Sequence, residues 1–398
     1  LKIAYVHYLY GRFDGTRDRT RHFTDAIREL GHEVEVFGLN LAGTPGDPAD
    51  AGGEKTLRAR IRAALKRRFS RYLHEPKEIL WNRRYGRRER EVLSAYEPDV
   101  VVCRPTSLGI SILKTTRKLD LPLVFEIHAP RAERKHLDRY THIPFASRWM
   151  EEKRLREADA VTTVSTPLTE HLVDLYDIPR EKFVVVPNGV ELDRFHPGVA
   201  PDPEVRSRLG DGPVVGFVGS FQEWHGTGLL TRMIQRVAAA RPEARFLLVG
   251  EGPTADEVRA AVEPLGERVL FLGWTAHERM PAITASLDVG VLPEADFYRC
   301  PLKLVEWMAA GCAVVVPRYA PLVELVEDGR EGLFFAPGVE DQFTAAVDRL
   351  IAEREFARRL GAAASEKAHT SMSWQKSAEK ASAACELARK NHARGKGP

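Results

Sequence analysis

The sequence predicts an α/β protein made of two doubly wound domains. Three observations carry that prediction. Short β-branched runs alternate with amphipathic helical stretches along the chain, as in a parallel sheet with crossover helices. The alternation breaks once, at 196–213 (HPGVAPDPEVRSRLGDGP), where Pro, Gly and charge gather as in an interdomain linker. It then restarts with a similar number of strands. A length of 398 residues also favours more than one core.

In order, KIAYVHYL reads as a strand, Arg21–Leu30 as a helix, and GHEVEVFG as a second strand. PDVVVCRP, LPLVFEIH, DAVTTVS and FVVVPNGV continue the first set. After the break come VVGFVGS, a helix over Leu229–Ala240, then RFLLVGEG, RVLFLGW, DVGVLP, CAVVVP and GLFFAPG. The expected division is a first domain at 1–197, a linker at 198–212, a second domain at 213–373, and a helix with a basic tail at 374–398. From the topology, that helix is expected to return to the first domain. In such sheets ligands bind outside the carboxyl ends of the strands, so a cleft between the two sets is expected.

Composition excludes several classes. The net charge of +3 points to no particular partner. No run of 18 apolar residues occurs, so no membrane-spanning helix is expected. The opening LKIAYVHYLYGRF reads as a strand rather than a signal peptide. Cys103, Cys300, Cys312 and Cys385 show neither zinc nor redox spacing, and a reducing cytoplasm is the default. No metal-binding motif or phosphate loop of the G-x-x-x-x-G-K-[ST] type occurs, so no metal and no cofactor are expected.

The insertion at 55–91 is densely basic, with Leu57, Ile61, Leu65, Phe69 and Leu73 recurring every four residues. It reads as an amphipathic helix. Its basic face is either solvated or docks to an anionic membrane or a phosphate-bearing acceptor, which would place the protein peripherally at the inner face of the membrane. It lacks the aromatic–basic interleaving of a nucleic-acid module, so no nucleic-acid partner is expected.

FYRCPLKLVEWMAAGCAVVV (297–316) is the most informative stretch. Pro301 suits the first position of a helix. The helix is apolar on most sides, as a buried helix is, and it feeds a strand buried on both faces. Lys303 and Glu306 stand three apart on one stripe. They form either an ion pair or two contacts to a ligand at the helix N-terminus, where free N–H groups favour an anion.

Three ordered motifs resemble those of the retaining glycosyltransferases of family 4. They are VVVPNGVELDRFHP (184–197), VGFVGSFQEWHGTGLL (215–230) and the 297–316 stretch, which resembles the variant S-P-L-K-L-x-E-Y-M-A-x-G. LVGEGP and VLFLGW lie between them, where the family places two more strands of its donor domain. The resemblance implies the GT-B fold, a nucleotide-sugar donor (UDP-sugar first, GDP- or dTDP-sugar next) and an acceptor hydroxyl on a glycan, lipid-linked or small molecule. It also implies front-face attack without a metal. Lys303, Glu306 and His128 are the implied catalytic groups. Lys303 meets the diphosphate, Glu306 the ribose diol, and His128, in FEIHAP, a sugar hydroxyl or the reacting centre through its carbonyl.

Donor contacts carried over from the family are Gly219, Ser220, His225, Gly226, Gly250, Trp274, Arg299, Pro301 and Leu302. A lone Trp274 serves packing or base stacking. The loop YGRFDGTRDRTRHF (10–23) stands in place of a Gly-rich loop, with Gly15 and Thr16 near donor phosphate and acceptor. Arg17, Arg19 and Arg21 hold an anionic acceptor or are solvated, and Arg104 is a further acceptor candidate. The chain departs from the family's E-x7-E signature: the second glutamate matches Glu306, but Tyr298 stands where the first would fall. That leaves Tyr298 as a sugar contact or none, and leaves Lys303, helped by Arg299, to neutralise more of the diphosphate. Three other readings remain. A UDP-sugar 2-epimerase of the same fold is opposed by the W-H-G loop. A nicotinamide-dependent dehydrogenase lacks its G-x-G-x-x-G. An inactive nucleotide-sugar-binding subunit rests on the missing glutamate.

Overall fold

A computed structural model of the chain describes residues 1–8, 14–39, 79–106, 108–130 and 144–395, with the side chains of 14–18 and 144 outside that description. The chain divides into two compact units. One is Leu1–Val186 with Ser377–Pro398, and the other is Pro187–Lys376.

The first unit holds six parallel strands: β1 (Lys2–His7), β2 (Glu33–Gly38), β3 (Val100–Arg104), β4 (Leu123–Ile127), β5 (Ala160–Thr163) and β6 (Phe183–Val185). Their order is β2-β1-β3-β4-β5-β6. The chain winds one way from β1 to β2 and the other way from β3, so the switch point lies between β1 and β3. His7 pairs with Arg104 there, at the carboxyl ends.

The second unit repeats the architecture with β7 (Val214–Val218), β8 (Arg245–Val249), β9 (Val269–Gly273), β10 (Val289–Val291), β11 (Ala313–Pro317) and β12 (Gly332–Phe335). The order is β12-β11-β10-β7-β8-β9, which puts its switch point between β7 and β10. Phe217, Phe246, Val315, Met233, Ile234 and Phe343 belong to its core. All twelve predicted strands form. The central strands, such as β3 (VVVCR) and β11 (AVVVP), are buried apolar runs in which β-branched residues are favourable, whereas the edge strand β2 (EVEVFG) alternates exposed glutamates with apolar residues.

Three expectations are corrected. The stretch read as a linker lies inside the second unit, and the chain passes between units at Val186–Pro187 instead. Pro203–Leu209 is a helix with Pro203 in its first turn. Asp202 caps it, accepting from the N–H groups of Glu204 and Val205 at 3.1 Å, and receives both Arg279 Nε (2.7 Å) and Nη2 (2.8 Å). A cap followed by proline has the same composition as a linker. Second, the helix expected from Arg21 begins earlier, at Asp14, and runs to Glu29. Its first turn is polar and contains a glycine, so no hydrophobic period betrays it. Third, Pro301 is the N-cap residue, with extended φ/ψ, and Leu302 opens the helix Leu302–Ala309.

The final helix, Trp374–Arg394, does return to the first unit from Ser377 onward. Ala378, Ala381, Ala384, Cys385 and Ala388 are buried along one face, and small side chains let the helix approach closely. Asn391 Nδ2 donates to the Asp159 carbonyl at 2.9 Å. Of the basic insertion, 55–78 lies outside the described residues, including Leu57, Ile61, Leu65, Phe69 and Leu73; residues 79–96 are helical. Among the described residues no helix is long and apolar enough to cross a membrane. No disulfide joins the four cysteines, all buried.

Candidate active site

In the second unit the switch point is lined by β7 and by the helix Leu302–Ala309. Trp307, 1% exposed, anchors that helix in the core. Asn188 Nδ2 donates to the Cys300 carbonyl at 2.7 Å and so holds the turn that feeds it. Lys303 Nζ lies 4.7 Å from the Phe217 ring centre. It also occupies the space a side chain would need at Gly219, 2.5 Å from where Cβ would stand. Gly219 has φ +151°, and a Cβ on Gly250 would meet the Gly219 carbonyl oxygen at 2.1 Å. Both positions therefore require glycine: one for its conformation and the ammonium beside it, the other for the backbone contact behind.

The Lys303 ammonium has no hydrogen-bond partner among the described residues. Burial, with the Arg299 charge nearby, pulls its pKa down to about 7, against the opposing pull of Glu306. Arg299 is itself ion-paired with Asp296. Lys303 and Glu306 form no ion pair, so that half of the open alternative is removed. Glu306 belongs to a different neighbourhood. Burial pushes its carboxyl up to about 6, opposed by His277 and reinforced by Glu191. Glu191 Oε2 accepts from Arg194 Nη1 at 2.8 Å and faces His277 Nε2 at 3.2 Å.

In the loop after β7 (219–226) several backbone N–H groups are already engaged. The Gly219 N–H donates to the Val249 carbonyl, His225 N–H to Gln222, and Gly226 N–H to Glu223. The open N–H groups of the next helix therefore begin at its own first residues, Thr227 onward. The His225 ring donates Nδ1–H to the Ser220 carbonyl, and the Ser220 hydroxyl is 3.4 Å from the same nitrogen. Burial and the Lys303 charge lower the ring's pKa to about 3, so it is neutral with a lone pair on Nε2. Trp274 is 64% exposed, which rules out the packing reading. Tyr298 is buried at 6% and meets Phe297 edge-on at 5.0 Å.

In the first unit, Glu126 on β4 is the centre of a buried polar cluster. Arg19 Nη1 lies 2.7 Å from its Oε1, both side chains being 5% exposed. His128 Nε2 is 2.5 Å from the same oxygen, and the Tyr5 hydroxyl donates to Oε2. Burial alone would raise the Glu126 pKa, but Arg19 and His128 outweigh it and hold the carboxyl well below the usual range. Burial, then the Arg104 and Arg19 charges, push the His128 ring well below the usual histidine range. Arg104 Nη1 has no hydrogen-bond partner among the described residues. Arg19 is thus a buried counter-ion, neither solvated nor on an acceptor surface. Gly15, Thr16 and Arg17 lie in the first turn of Asp14–Glu29, with side chains outside the described residues.

Two family models match successive stretches of the chain: "Glycosyltransferase Family 4" over residues 13–194 and "Glycosyl transferases group 1" over 212–353. The chain belongs to glycosyltransferase family 4. Among its relatives, the D-inositol 3-phosphate glycosyltransferase of Stackebrandtia nassauensis is 32% identical over 235 residues, 56% of this chain and 52% of that one. The 2-deoxystreptamine glucosyltransferase of Streptomyces kanamyceticus is 27% identical over 247 residues, 59% of this chain and 62% of that one. This family 4 chain therefore spans about half (52%) to three-fifths (62%) of the length of those relatives. Anabaena HepE, whose crystal structure contains UDP, superposes with a TM-score of 0.66 at 17% identity, covering 96% of this chain and 99% of that one. It shares the GT-B fold.

The second unit thus brings together Lys303, Gly219, Gly250, Ser220, His225 and Arg299, and sets Glu306 one turn away. The first unit brings His128, Arg19 and Arg104 together around Glu126. The sequence reading missed Glu126, Glu191, Arg194 and His277. Glu126 had a signal, since E-x-H on a strand puts both side chains on one face. Glu191 and Arg194, three apart in a motif already noticed, had a weak one. His277 had none.

Proposed function

We propose that the chain is a retaining glycosyltransferase that moves a sugar from a nucleoside-diphosphate donor to an acceptor hydroxyl. The observation that carries this reading is the buried Lys303 ammonium, without a hydrogen-bond partner among the described residues, at the first turn of a helix and beside Gly219. A buried cation without a partner is costly unless a ligand completes it. The open N–H groups of that turn favour the same anion. Lys303 and Arg299 would stabilise the charge that grows on the diphosphate as the sugar leaves, without calling on a metal. The bond from the anomeric carbon to the phosphate oxygen breaks as the bond to the acceptor oxygen forms on the same face. The acceptor proton passes to the leaving phosphate oxygen, so no enzyme carboxylate acts as nucleophile. Glu306 is assigned to the ribose diol, the exposed Trp274 to the base, and Ser220 to a phosphate oxygen. Of the acceptor-side candidates in the first unit, Arg104 is kept and Arg19 is dropped. The UDP bound by Anabaena HepE supports a UDP-sugar as the first donor to test.

The test is a thermal-shift screen of UDP, GDP, dTDP and ADP with their common sugars, on wild type and Glu306→Ala. A ligand that binds only the folded state raises its apparent stability. One nucleotide should raise Tm in the wild type and not in the variant, and its sugar should be transferred or slowly hydrolysed. No shift with any of them removes the nucleotide-sugar reading. A shift without turnover favours an inactive binding subunit.

Contact with an anionic membrane through 55–91 belongs to the same proposal. The described end of that segment exposes Ile79 (38%) and Leu80 (71%) ahead of the exposed Arg83, Arg84, Arg87 and Arg88. Such a surface suits an acidic headgroup layer. The protein should sediment with phosphatidylserine vesicles at low salt, and less after Arg67, Arg68 and Arg71 are changed to Gln. Unmodified protein that stays in the supernatant removes this part.

A further inference from the structure

The buried cluster in the first unit decides more than the position of His128. We infer that Glu126 is a positioning residue: it holds the His128 ring with its proton on Nε2, leaving Nδ1 as a hydrogen-bond acceptor for a substrate hydroxyl. The substrate class rests on the glycosyl-transfer reading; the state of the ring does not.

The chemistry of the donors fixes the proton. Glu126 Oε1 meets Arg19 Nη1 at 2.7 Å and His128 Nε2 at 2.5 Å, while Oε2 takes the Tyr5 hydroxyl. A guanidinium has no acceptor to offer, and it keeps the carboxylate ionised. An ionised carboxylate is acceptor-only, so the hydrogen in the contact with His128 sits on Nε2. A second proton on the ring is opposed by burial and by the Arg104 and Arg19 charges. The ring is therefore neutral and Nδ1 keeps its lone pair. No described residue donates to that nitrogen.

A neutral acceptor discriminates. It can receive a hydroxyl or N–H, and it has nothing to give a phosphate or carboxylate, which are acceptors themselves. His128 therefore serves a sugar hydroxyl, and the diphosphate falls to groups that can donate, such as Lys303. Local structure makes the pair possible. Glu126 lies on β4 and His128 follows two residues later, on the same face of the strand. Tyr5, from the middle of β1, and Arg19, from the helix Asp14–Glu29, close over the carboxylate.

The test reads the ring directly. In protein labelled with 15N-histidine, with His128 assigned by comparison with His128→Gln, two-bond correlations at pH 7 should show a neutral ring protonated on Nε2. Glu126→Gln should give a mixture of tautomers and a kcat lower by about 10- to 100-fold, with the donor KM little changed. A ring protonated on Nδ1, or on both nitrogens, overturns the inference. So does Glu126→Gln with the wild-type ring pattern, or with wild-type kcat. Should Glu126→Gln not fold because the Arg19 charge loses its carboxylate, Glu126→Gln with Arg19→Met carries the same comparison. Failure of every nucleotide sugar to turn over, with the ring as stated, removes the transferase reading and upholds the ring assignment.

Discussion

Lys303→Ala is expected to lower kcat/KM for glycosyl transfer by about 10²- to 10³-fold, the effect of losing one preorganised stabiliser of developing negative charge. Among the described residues Arg299 keeps its own contribution, and nothing replaces the charge that is removed. Arg299 is already paired with Asp296, and the His225 ring is neutral with its N–H engaged by the Ser220 carbonyl. Lys303→Met keeps the length and the contact with Phe217 while removing the charge, so it should lose about as much. The pH dependence is more specific. In the free protein Lys303 titrates near 7, and a bound diphosphate needs its charged form. Donor affinity should therefore be level below pH 7 and fall above it, by up to about tenfold per pH unit, until the bound-state pKa is reached. Calorimetric titration from pH 6 to 9 measures this, and the dependence should vanish in Lys303→Met. Flat wild-type affinity over that range would mean that Lys303 is not the anion contact. The same shift affects stability with a definite sign. The folded state holds fewer protons than the unfolded chain between about 7 and the ordinary lysine value of 10.5, so this group makes stability rise with pH across that window.

Arg19→Ala is expected to destabilise the protein by about 3–5 kcal/mol, because it strands the Glu126 carboxylate in the sheet. Urea denaturation gives the number. A loss below about 1 kcal/mol, typical of an exposed pair, would contradict the buried ion pair. Against a Glu126→Gln background the cost should shrink, since the carboxylate that Arg19 balances is gone, and the difference is the coupling energy of the cycle. The pH dependence follows from the lowered Glu126 pKa. Its contribution is complete above the ordinary carboxyl value of 4.5 and is lost as pH falls through the lower folded-state value. In Arg19→Ala that loss should begin at higher pH.

Much of this was legible in the residues alone. Both sheets could be read from apolar runs such as VVVCR and AVVVP, because a strand covered on both faces must be apolar throughout. The ordered motifs placed Lys303 and Glu306 together with Gly219, and the structure keeps Lys303 and Gly219 in contact. The sequence could not say what Lys303 faces. An i,i+3 spacing is the same for an ion pair as for two side chains with separate neighbours. Only the packing turns one toward Phe217 and Gly219, and the other toward His277 and Glu191. The burial of Arg19 was equally hidden, since RDRTRH reads as a solvated face until Glu126 comes up beneath it. Periodicity and capping are local, and they determine where strands and helices form. The direction and burial of a charged side chain depend on partners far along the chain, such as Tyr5 with Glu126 (121 residues apart) and Asn188 with Cys300 (112 residues apart), which only the folded chain brings together.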